Sequence, residues 1–259
     1  MTSQMSKTIL AAVAAAFSAA LVTVPATAAD LGGSIKDAPA EEPKRRCSFS
    51  MNIGGTSDYV FRGISQTLED PAAQGGVDAT CGMFYAGVWA STVDFGKGPG
   101  SADIEVDLYA GIKPTWGPLT FDLGVIYYAY PNAKDNNVVV GEYDYVELKG
   151  GVSGTWNKIT LGATLFYSPE YTGETGETLF TEVSAAYELP AVGAFTPSIS
   201  GLFGHGEFFD NSGDYNYWNA GLSLAVDKFT FDFRYWDSDI NSCSICDERF
   251  VFTAKVALP

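Results

Sequence analysis

The sequence predicts an all-β fold: an antiparallel transmembrane β-barrel of twelve strands that follows a cleaved signal peptide. Three observations carry that prediction. The stretch Phe229-Thr230-Phe231-Asp232-Phe233-Arg234-Tyr235 alternates apolar and polar residues with period two. In a strand its aromatic rings share one face, and Thr230, Asp232 and Arg234 share the other. Weaker versions of the pattern recur from residue 47 onward, separated alternately by short and long turn segments, as in a barrel with lipid outside and a polar lumen inside. The third observation is an N-terminal export signal.

Met1 to Ala29 carries one positive charge, Lys7, ahead of an apolar run from Ile9 to Val24, and ends in Ala26-Thr27-Ala28-Ala29. Small residues there suit a signal peptidase, and the run is too short and Ala-rich for a spanning helix of about 20 residues. Cleavage is expected after Ala28 or Ala29. Residues 1–29 are therefore read as signal, 30–46 as a flexible periplasmic lead-in without assigned structure, and 47–259 as the outer-membrane barrel.

Composition agrees. Mean hydropathy is +0.04, because a polar lumen face dilutes the apolar one. Aromatics at 14% and 28 glycines suit membrane interfaces and crowded strands. The net charge of −16 argues against nucleic acid, which requires a basic surface, and permits attraction of cations. Cys47, Cys81, Cys243 and Cys246 survive in the mature chain and read as two disulfides in an oxidising compartment.

The strands follow in order. Strand one is expected from Cys47 to Arg62, with Phe49, Met51 and Ile53 on one face and a bend at Gly54-Gly55. Strands two (Ala73 to Cys81) and three (Phe84 to Phe95) are weaker. Strand four opposes Ile104, Val106, Leu108, Ala110 and Ile112 to Glu105, Asp107 and Tyr109; strand five opposes Phe121, Leu123, Val125 and Tyr127 to Asp122 and Tyr128. Strand six, from Glu142 to Gly154, is read with a change of parity at Tyr145-Val146. Strands seven and eight present Ile159 to Tyr167 and Thr181 to Leu189 in alternation, with Glu182 and Glu188 inside. Strand nine, Pro197 to His205, is Gly-rich. Strands ten to twelve carry Trp218 to Val226, the opening motif, and Phe250 to Leu258. Strands two, three and nine are soft enough that ten or fourteen remain open as counts.

Short connections (81–82, 115–118, 156–158, 190–195, 227–228) alternate with longer polar ones. Twelve strands then leave both termini in the periplasm. A soluble β-sandwich would show similar alternation, but only closure removes the sheet edges that lipid cannot satisfy. Aromatics near the strand ends favour the barrel: Tyr59, Phe61, Trp116, Tyr127, Trp156, Tyr167, Trp218 and Trp236.

The candidate functional residues are those expected to line the lumen. Asp58 and Arg62, four residues apart on one face, form either a charged constriction or an internal ion pair. Glu105, Asp107, Asp122, Lys149, Glu182, Asp232 and Arg234 complete the set, and their acidic excess would favour cations in an open pore. The single histidine, His205, lies at a loop end beside no catalytic spacing. No ligand spacing for a metal and no cofactor motif is present. Cys243-Ser244-Ile245-Cys246 reads as a small loop disulfide, and a Cys47–Cys81 bridge would pin the first hairpin.

Thr56-Ser57-Asp58-Tyr59-Val60-Phe61-Arg62-Gly63-Ile64-Ser65-Gln66-Thr67 resembles the opening motif of the TorF-type porin family, conserved bacterial outer-membrane proteins of unknown function. Asp70 to Gly76, Phe84 to Ser91, Ile104 to Gly111, Phe121 to Pro131 and Tyr143-Asp144-Tyr145 continue the resemblance in order. It implies an outer-membrane channel for passive diffusion of small polar solutes or ions; the missing catalytic motif argues separately against an enzyme. The alternative is a closed structural or adhesive barrel with a plugged lumen and functional loops. The expected partners are membrane lipid and small solutes; the sequence leaves the oligomeric state open. Two departures stand out: the chain ends Val256-Ala257-Leu258-Pro259 rather than on an aromatic residue, and the cysteines are additions to the pattern.

Overall fold

The computed structural model describes residues 47–97, 101–131, 133, 143–209 and 213–258; the expected signal and lead-in lie outside them. Twelve antiparallel strands close on themselves: β1 (Cys47–Thr56), β2 (Ala72–Cys81), β3 (Phe84–Thr92), β4 (Ile104–Ile112), β5 (Leu119–Ala129), β6 (Tyr145–Trp156), β7 (Ile159–Ser168), β8 (Thr178–Glu188), β9 (Thr196–Phe208), β10 (Tyr215–Val226), β11 (Phe229–Ser238) and β12 (Arg249–Leu258). Each pairs with its chain neighbours, and β1 closes the ring on β12 from Met51↔Leu258 to Thr56↔Thr253. No helix among the described residues is long and apolar enough to cross a membrane.

Period-two alternation sets the wall. Phe49, Ile53, Leu108, Leu123, Leu148, Leu161, Val183, Phe203 and Phe233 all project outward and are exposed. Such a belt is unfavourable in water and fits lipid. The inner face is identified by contacts that skip a strand, which only the concave side permits. Tyr85 of β3 reaches Asp122 of β5, Tyr109 of β4 reaches Asp78 of β2, and Tyr217 of β10 reaches Glu182 of β8. Tight turns at one end place Gly82, Asn157 and Asp227 at positive φ, as short hairpin turns require.

Four expectations are corrected. Strand one stops at Thr56, because residues 57–71 turn into the barrel instead of continuing its wall. β6 keeps one parity throughout: its register with β5 is unbroken from Tyr128↔Tyr145 to Leu119↔Gly154. β9 is longer than expected, since glycines there make room for neighbouring rings: a Cβ at Gly204 or Gly206 would overlap Tyr217 or Phe180. Tyr59 and Phe61 belong to the inward loop, and Trp236 pairs in register with the inward-facing Asn219 and Arg249, so these three are not interface aromatics. Both disulfides form: Cys47 and Cys81 are register partners at the short-turn end, and Cys243–Cys246 closes a turn in the last long loop.

Candidate functional site: the lumen and its plug

Residues 57–71 build the site. Val60–Phe61 and Ile64–Ser65 pair as a miniature hairpin whose two central residues, Arg62 and Gly63, both have positive φ (50° and 83°). That is the requirement of a two-residue turn, and it places Arg62 at the tip. The tip is driven into the lumen at the long-loop end and touches almost the whole circumference. The Tyr59 hydroxyl donates to Glu105 of β4 at 2.8 Å, and its ring meets Trp89 of β3 edge-on. Phe61 packs on Tyr128 of β5. Arg62 crosses to β6, β7 and β8, and Gly63 lies against β10 and β11. A Cβ on Gly63 would stand 2.9 Å from that of Tyr217 and 3.0 Å from that of Ser238. On the remaining side, Asp58 accepts from Arg249 of β12 at 3.1 Å and from the hydroxyls of Ser65 and Thr67.

Arg62 is the centre of this arrangement. Nη1 and Nη2 donate to the two oxygens of Glu147 at 2.6 and 2.8 Å, a bidentate fork, and Tyr128 donates a third bond to the same carboxylate at 3.0 Å. The guanidinium also lies over Phe180 at 3.8 Å and near the rings of Phe61 and Phe166 at 4.7 and 4.9 Å. Arg62 is 4% exposed, and Glu147 and Phe180 are 0% exposed. Burial works against the Arg62 charge, but the Glu147 carboxylate and its hydrogen bonds, together with Tyr171 and Tyr217, hold the group above its ordinary range. Around the pair run two aromatic clusters joined by Ile126 and Tyr171, including the stacked rings of Tyr128 and Tyr145. The lumen is packed at this level.

Toward the short turns the inner wall changes character. Asp122 accepts from Lys149 at 2.8 Å and from Tyr85 at 2.7 Å. Arg234 contacts Asp232, Asn219 and Ser200, and Asp232 also receives the Ser223 hydroxyl. The side chains of these two ion pairs keep 14–18% exposure, against 3% and 0% for Arg62 and Glu147.

Glu105, Asp107, Asp122, Lys149, Glu182, Asp232 and Arg234 therefore face inward from the wall. Asp58 and Arg62 do not: both sit on the plug, and they bind Arg249 and Glu147 rather than each other. The pairing expected from their spacing fails because the chain leaves strand geometry after Thr56. Glu147, Arg249, Asp78, Phe166 and Phe180 were not among the expected residues. Glu147 shares a face with Lys149 at period two and is visible once β6 is read without a parity change. The one local hint of the hairpin is Arg62-Gly63, which reads as a two-residue turn between Val60-Phe61 and Ile64-Ser65. His205 faces outward at the long-loop end and pairs with Asn216, which in turn contacts Asp239.

A family model described as a bacterial protein of unknown function (Gcw_chp) matches residues 40–257. Comparison with curated proteins finds no match. Among solved structures, the NanC porin is similar with a TM-score of 0.51 at 9% identity, covering 81% of this chain and 99% of that one. LpxR from Salmonella typhimurium gives 0.41 at 10% identity over 81% and 99%. A porin refined at 1.8 Å gives 0.38 at 14% identity over 72% of this chain and 62% of that one, so the chain spans less than two thirds of that porin's length. The NanC likeness supports the barrel fold; the two weaker ones carry no argument.

Proposed function

The chain belongs to the Gcw_chp family of bacterial proteins, and on that premise we propose that it is an outer-membrane, porin-like channel for small polar solutes or ions, closed at its extracellular end by the hairpin 57–71. In this reading residues 1–29 direct export, the short turns are periplasmic, and the TorF-type resemblance describes the subgroup. The protein is a conduit rather than an enzyme. The observation that carries the proposal is the division of one closed barrel into a polar, partly exposed half and a packed half at whose centre the hairpin 57–71 places Arg62, with rings such as Tyr171 and Tyr143 from other long loops closing around it.

Opening means withdrawing that loop. Arg62 and Asp58 leave with it, and the wall then presents Glu105, Asp107, Glu147 and Glu182 against Arg249. Such a constriction favours cations. The second reading, a permanently plugged barrel that acts through its loops, draws on the complete burial of Glu147 and Phe180.

Single-channel recording in a planar bilayer under a salt gradient separates the two. Wild-type protein is expected to open rarely, and Glu147→Gln, which strands Arg62 without its counter-charge, to give sustained steps with a cation-leaning reversal potential. Silence from a folded, inserted Glu147→Gln barrel would establish the permanent plug.

A further inference from the structure

The seat occupied by Arg62 has the chemistry of a general guanidinium site. We propose that free guanidinium-bearing solutes are ligands of this seat, entering it in exchange for Arg62 and so releasing the plug. The inference rests on the channel reading above and gives it a solute class.

The seat belongs to the wall, not to the loop. Glu147 on β6, Phe166 on β7, Phe180 on β8 and Tyr128 on β5 remain when the hairpin leaves; only Phe61 departs with it. What remains is a carboxylate set for a planar fork, a phenol that orients it, and two rings that flank the cation. An ammonium can satisfy the charge but not the fork or the flat stacking surface, so the site discriminates by shape as well as by sign.

Arg62 is moreover an imperfect occupant. Its Nε is buried without a hydrogen-bond partner, and so is Oε2 of Glu182, two residues along the inner face from Phe180. Its backbone also holds a positive φ that a non-glycine residue rarely adopts. A small solute free of the hairpin can shift toward the unused acceptor. Tethering nonetheless gives Arg62 a high effective concentration, so a solute must be more concentrated to enter the wild-type seat than a vacated one.

The test uses the purified, refolded barrel with methylguanidinium chloride, and methylammonium chloride at equal ionic strength. Arg62→Ala vacates the seat. Calorimetry on Arg62→Ala should show methylguanidinium binding at least about tenfold more tightly than methylammonium, with loss of that preference when Glu147→Gln is added. In the wild-type protein, which needs no folding of a variant, methylguanidinium should raise the open probability above that in methylammonium. Equal responses to the two cations, or binding that survives Glu147→Gln, overturn the proposal. Selective binding in a barrel that never conducts removes the channel reading and keeps the site. Conductance without selective binding removes the site and keeps the channel.

Discussion

The two halves of the lumen are lined by the same strands, yet they handle charge differently. Toward the short turns, Asp122–Lys149 and Asp232–Arg234 link residues on one strand or on adjacent strands, and both stay partly exposed. Toward the long loops, Glu147 meets a cation that no strand supplies, and the pair is sealed beneath aromatic rings. A barrel wall alone makes shallow, hydrated networks; burying an ion pair in it requires a segment brought in from elsewhere. The energetic consequences differ in kind. Exposed pairs contribute little because water competes for both partners, whereas a buried pair is costly to break because the survivor is left without water.

The largest test of that contrast is Glu147→Ala, expected to weaken docking of the hairpin by about 3–5 kcal/mol, read as increased proteolytic cleavage within residues 57–71. Asp122→Ala in the other half should cost about 1 kcal/mol or less in the same assay and in thermal unfolding. Equal effects would erase the distinction between the halves. Next, Gly63→Ala imposes left-handed strain of roughly 1–2 kcal/mol and crowds Tyr217 and Ser238, so its cleavage should lie between those of Glu147→Ala and the wild type.

Accessibility sharpens the comparison further. In a variant lacking the four native cysteines, Asp232→Cys should react readily with a small water-soluble thiol reagent. Phe180→Cys should react only when Glu147→Ala is also present; prompt labelling of Phe180→Cys alone would mean that the plugged half is wet. The smallest effect belongs to the rim. Lys158 and Glu188 stand 3.8 Å apart with both side chains more than 40% exposed, and Lys158→Ala should change unfolding by no more than about 0.5 kcal/mol.

How much of this is legible in the sequence follows from the range of each interaction. Alternation along β4, β5 and β11 can be read residue by residue, because every strand of a membrane barrel must separate a lipid face from a lumen face. The same local rule places Asp122, Lys149, Asp232 and Arg234 on the inner wall, and the first and last cysteine pairs follow from hairpin ends and loop spacing. The rule breaks at Thr56. Ser57 to Ser65 reads as a plausible continuation of the strand, and although Arg62-Gly63 hints at a turn, nothing local says that the hairpin folds inward. Asp58 and Arg62 look like partners because they are four residues apart, but Arg62 finds Glu147 85 positions away and Asp58 finds Arg249 191 positions away.

The sequence by itself determined the class of the molecule and the facing of most wall residues, because these depend on neighbours two residues apart; it favoured twelve strands but left ten and fourteen open, and it misplaced the parity of β6. Closure of the ring decided the rest. Only when β1 meets β12 do the inner faces of β3 to β8 and β10 to β12 stand around one volume that a single hairpin can reach across, and only there does a buried arginine find both a carboxylate and the rings that cover it.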